Sequence, residues 1–154
     1  MACSVAIILV AAFARAGEAA DTAQQLRDRL QRTKTVSCAF STMTAGDWQS
    51  GQPRATTKPA SLNVSFDAIN ADEGSARAVG QLGKVDVVVR LSEGTLHFVE
   101  SFREGPLYIT TIFPVAADNG RLIAVHSRHE YTSVQVPGYT SRPEQYYGSC
   151  RIDE

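Results

Sequence analysis

The chain predicts an all-β domain, mainly antiparallel: a small up-and-down barrel or sandwich of about seven to nine strands preceded by one N-terminal helix. Three observations carry that prediction. From Val36 onward, apolar and polar residues alternate with a period of two in short runs. Turn sequences separate these runs, among them Ser92-Glu93-Gly94, Glu104-Gly105-Pro106, Asn119-Gly120 and Pro137-Gly138. Helical spacing is confined to one stretch ahead of the strands, and Cys38 and Cys150 bracket the whole strand region.

The 154 residues fit a single domain, with 44% hydrophobic residues, 20% charged residues and a net charge of -1. No run of Lys or Arg is present, so nothing forms the basic face that nucleic acid requires.

Residues 1–19 read as a signal peptide and 20–154 as a single β-barrel-like domain. Val5 to Ala14 is an apolar run of the length of a signal core, and it is shorter than the roughly 20 residues of a bilayer span. Ala14-Arg15-Ala16 and Gly17-Glu18-Ala19 each offer a small-x-small cleavage site, before Gly17 or before Ala20, although Met1 to Ser4 contains no basic residue. The expected product is exported to the periplasm or secreted, soluble, monomeric and not membrane-spanning. Cleavage removes Cys3 and leaves Cys38 and Cys150, and cysteines left in an exported chain most often pair.

Asp21 to Lys34 is the helix, with Asp21 or Thr22 as N-cap, Ala23, Leu26 and Leu30 on its apolar stripe, and Arg32 and Lys34 near its C-terminal dipole. Val36, Cys38 and Phe40 then alternate with small polar residues as a half-buried strand. Residues 44–60, rich in Gly, Pro, Thr and Ser, read as a loop with at most a short edge strand. Leu62, Val64, Phe66 and Ala68 form one apolar face, and Val85, Val87, Val89 and Leu91 another. Leu96, Phe98 and Phe102 point one way, and Thr95, His97 and Val99 the other. Leu107 to Phe113 is β-branched and aromatic, and Asp118-Asn119-Gly120 is the strongest hairpin signal in the chain. Strands follow over Arg121 to Val136 and near Gln145 to Ile152. A bridge between Cys38 on the first strand and Cys150 on the last favours a closed barrel, in which those strands are neighbours.

Gly120 to Tyr131 concentrates the residues with chemistry. On an extended strand His126 and Arg128 share a face with Leu122 and Ala124, while His129 faces the other way with Ile123, Val125 and Tyr131. Two histidines on opposite faces do not make a metal site, and no cofactor is implied. Arg128 calls for a carboxylate such as Glu130, Glu100 or Asp86. A Ser/His/Asp arrangement using Ser127 with His126 or His129 is the enzyme alternative, although no G-x-S-x-G elbow is present. Tyr139, Tyr146 and Tyr147 with Arg142 offer either a recognition surface or packing beside the disulfide; adjacent tyrosines on a strand face opposite sides.

Two resemblances bear on function. Gly46-Asp47-Trp48 resembles the G-x-W motif at the start of lipocalin barrels, where the Trp plugs one end, while their later T-D-Y motif is absent here. Leu26-x-x-x-Leu30, a basic turn and Val36-x-Cys38-x-Phe40 are similar to the opening helix and first strand of periplasmic lipoprotein-carrier proteins. That resemblance implies an open barrel closed by helices that holds acyl chains. The leading expectation is an exported domain that binds an apolar or amphipathic small molecule through His126, Arg128, Glu100 and Trp48. A cell-envelope interaction module and a hydrolase are the alternatives.

Overall fold

The computed structural model describes residues 23–80, 83–103, 105–131 and 142–153. Residues 1–19, read as a signal peptide, both candidate helix caps and the Pro137-Gly138 turn lie outside them.

Eight antiparallel strands form one closed barrel: β1 Thr35–Gln49, β2 Gln52–Asn70, β3 Ser75–Gly80, β4 Gly83–Ser92, β5 Thr95–Ser101, β6 Leu107–Ala116, β7 Leu122–His129 and β8 Glu144–Asp153. Each strand pairs with the next, and β8 returns to β1, so the choice between barrel and sandwich falls to the barrel. The closing register sets Cys38 directly opposite Cys150, and the two are joined by a disulfide with Cα atoms 3.9 Å apart.

The helix, α1, spans 23–32 and covers one end of the barrel. Leu30 is wholly buried and Leu26 packs on the same core. Thr33 donates its hydroxyl to the Arg29 carbonyl at 2.8 Å, and the Ile69 N–H donates to the Lys34 carbonyl at 3.2 Å, tying the helix exit to β2. At the β4–β5 turn, the stem of Arg27 lies over Gly94, leaving no room for a Cβ there.

Alternation of the strands fills the interior from all sides. Phe66 and Phe98 stack face to face with centroids 3.9 Å apart. Val89, Leu96, Phe98 and Ile112 have 0% exposure, so no water-sized space touches them and the middle of the barrel is packed rather than hollow. Two irregularities keep the pattern in phase. A register shift between Phe40 and Thr42 moves the inward set of β1 from Val36, Cys38 and Phe40 to Met43 and Ala45. On β2, Ala68 takes a left-handed backbone (φ 49°), and Ile69 turns inward after Phe66.

The structure departs from the sequence reading in three places. Residues 44–60 are not a loop: they are the far half of a long hairpin between β1 and β2, which turns on Ser50-Gly51 with both residues at positive φ (51° and 76°). Cross-strand threonines support it, with Thr44 and Thr57 hydroxyls 3.0 Å apart. Pro53 and Pro59 are tolerated because, among the described residues, β2 pairs with β1 alone before Ser65. Asp118–Gly120 forms a single 3-10 turn rather than a two-residue hairpin. Finally, β7 ends at His129, with Glu130 and Tyr131 outside any strand, and the rest of the strand expected up to Val136 lies outside the described residues.

Candidate functional site

The inward rows of β5 to β8 change character along the barrel axis. Near α1 they are apolar; towards the opposite mouth they become polar. Cross-strand register stacks these polar residues in two tiers. The deeper tier runs Phe98, Thr110, His126, Tyr146, and the outer tier runs Glu100, Tyr108, Arg128, Glu144.

His126 anchors the deeper tier at 2% exposure. Its Nδ1 lies 2.8 Å from the Thr110 hydroxyl, and its Nε2 lies 3.3 Å from Nε of Arg128. A guanidinium only donates, so Nε2 must be the acceptor and the ring proton sits on Nδ1, where it is donated to Thr110. Burial, and then the Arg128 charge, hold the imidazole neutral and bring its pKa down to about 4. With both nitrogens engaged, His126 has no lone pair left to serve as a general base.

Arg128 sits between two aromatic faces, its Cζ 5.1 Å from the Tyr108 ring centroid and 5.2 Å from that of Tyr146. The hydroxyl of each tyrosine donates outward to a carboxylate, Tyr108 to Glu130 at 3.2 Å and Tyr146 to Glu144 at 2.5 Å. Both phenols are pushed up to about 12, by burial first and then by those carboxylates. Glu100 is raised above the ordinary carboxylate range by burial, against the opposing pull of Arg128. Among the described residues Arg128 makes no ion pair. Its contacts there are His126 and the two rings.

The fold therefore brings His126, Arg128 and Glu100 together at one barrel end. Trp48 stands apart: it is 51% exposed, alternates out of phase with inward Met43 and Ala45, and meets Tyr131 edge-on at 5.7 Å. It does not plug the barrel. Of the carboxylates expected to pair with Arg128, Glu130 is held by Tyr108, and Asp86 lies opposite Arg77 in the β3–β4 ladder.

His129 is exposed, and His97 sits beside the Thr111 hydroxyl at 3.1 Å, so the three histidines do not meet. Among the described residues no group of three His, Cys, Asp or Glu side chains is placed to hold a metal. Tyr108, Thr110 and Glu144 were not legible as site residues, and Tyr146 was read only as part of a tyrosine cluster with Tyr139 and Tyr147, not as a neighbour of Arg128. The one available signal was parity, since Glu100 continues the Leu96–Phe98 line, but only the register of β5 to β8 sets these four beside it. No protein-family model, curated protein or solved structure matches the chain, so its function is argued from this geometry.

Proposed function

We propose that the barrel mouth opposite α1 binds a small amphipathic molecule, with Arg128 holding an anionic group at its polar end. The observation that carries this reading is the guanidinium itself: inward-facing, sandwiched by Tyr108 and Tyr146, and without an ion pair among the described residues. A cation placed there keeps donors available for a carboxylate or phosphate, the anions that a guanidinium fork fits. The rings of Tyr108, Tyr146 and Phe102 (the last packed on Tyr108 at 5.0 Å) supply apolar surface for the rest of the molecule. Because the barrel middle is filled, the reading favours a short apolar part over a long acyl chain. The neutral, doubly engaged imidazole of His126 supports a binding role over hydrolysis.

The test is an amide-resolved NMR titration with short amphipathic carboxylates such as 3-phenylpropanoate. Shifts should cluster on Glu100, Tyr108, Arg128 and Tyr146, and Arg128→Ala should weaken binding about tenfold, or 1.4 kcal/mol, while the melting transition persists. A wild-type protein whose mouth resonances do not move with any such ligand would leave the reading without support.

We also propose that the domain is exported. The apolar run Val5 to Ala14 with its cleavage sites supports this, as does the Cys38–Cys150 bridge, a bond typical of oxidising compartments. N-terminal sequencing of protein recovered from the cell envelope or medium should begin between Gly17 and Asp21.

A further inference from the structure

The charges around Arg128 do not balance. Glu130 and Glu144 are each drawn to a tyrosine that flanks the guanidinium, and Glu100 stands in the same tier beyond Tyr108. These groups form one electrostatic cluster: Glu130, Glu100 and Arg128 all act on the Tyr108 hydroxyl, and Glu144 and Arg128 on that of Tyr146. Among the described residues three carboxylates thus surround one cation, and they outnumber it even with Glu100 protonated. An anion bound to Arg128 enters a field that is already negative, and in a partly buried mouth such a charge is poorly screened. A ligand that brings its own cation removes the conflict.

Resting on the Arg128 reading above, we infer that the ligand is a zwitterion, a small apolar amino acid or related ammonium carboxylate. Its carboxylate takes the guanidinium of Arg128, and its ammonium lies among the carboxylates of Glu130, Glu144 and Glu100. The two tyrosines set the spacing. Each ring covers one side of Arg128 while its hydroxyl fixes a carboxylate beyond, so opposite charges alternate across the mouth. Both hydroxyl protons are committed to the carboxylates, which leaves each tyrosine oxygen as an acceptor towards the site and adds partners for an ammonium group.

Three probes that share one apolar body separate the possibilities in calorimetric titrations of the full chain at neutral pH: phenylalanine, 3-phenylpropanoate and 2-phenylethylamine. Phenylalanine should bind at least tenfold tighter than either of the others. In Glu130→Gln/Glu144→Gln protein, where glutamine can still accept from the tyrosines, phenylalanine should weaken about tenfold and 3-phenylpropanoate should strengthen. Binding of 3-phenylpropanoate as tight as that of phenylalanine overturns the zwitterion and leaves the Arg128 anion site standing. Binding of 2-phenylethylamine alone, or of none of the three, overturns both.

Discussion

Arg128 donates through Nε to Nε2 of His126, two residues earlier on the same strand, across 3.3 Å. That bond places a permanent cation against a buried imidazole and decides its tautomer, while burial first and the Arg128 charge second hold the ring neutral. Its consequence for stability has a definite sign. The folded pKa of about 4 lies below the ordinary value of 6.5, so the contribution of neutral His126 is whole above pH 6.5 and is lost as the pH falls towards 4. Glu100, raised by burial, works the other way and favours the folded state as pH falls.

The first prediction isolates the histidine by difference. Between pH 7 and pH 5, the stability of wild type relative to His126→Gln should fall by about 2 kcal/mol, read from urea unfolding at each pH. A difference that stays constant would show that His126 titrates normally in the folded protein. Ring-nitrogen NMR at pH 5 should likewise find the proton on Nδ1.

Reduction of the disulfide should be expensive. The bridge joins residues 112 apart, and the chain-entropy account gives about 4–5 kcal/mol for a loop of that length, with ~2–5 kcal/mol the usual experimental range for small secreted domains. Urea unfolding with and without reductant, or of Cys38→Ser/Cys150→Ser, checks it. Coincident unfolding curves would mean that strand pairing alone closes the barrel.

Gly148 should tolerate no side chain. A Cβ there would lie 2.1 Å from the Ala39 carbonyl oxygen and 2.7 Å from Cα of Phe40, both main-chain atoms at the register shift of β1. For Gly148→Ala to fold, β1 and β8 must separate beside the disulfide. A loss of about 2–3 kcal/mol is expected, together with faster amide exchange at Phe40 and Gly148. An alanine variant as stable as wild type would show that the seam is loose.

The sequence by itself determined the antiparallel all-β class, the helix ahead of it and the pairing of Cys38 with Cys150. Period-two alternation and turn chemistry are local properties, readable one segment at a time. It also determined that His126 and Arg128 share a face and that His129 does not, because side-chain parity along a strand needs no tertiary information. Composition misled at residues 44–60, where Gly, Pro and Thr spelled a loop but pairing with a neighbour made an edge hairpin.

Which face of each strand points inward, and which residues of different strands meet, were decided by register, a property of pairs of strands rather than of either one. Tyr108 and Tyr146 lie 38 positions apart, yet they face Arg128 from the strands on either side of it. The expected partner for Arg128 was a carboxylate. The barrel instead supplied two aromatic faces and a neutral histidine, and its carboxylates were held one step further out by the tyrosine hydroxyls. Closure of the ring set that arrangement, since β6, β7 and β8 contribute one inward side chain each at every level of the barrel.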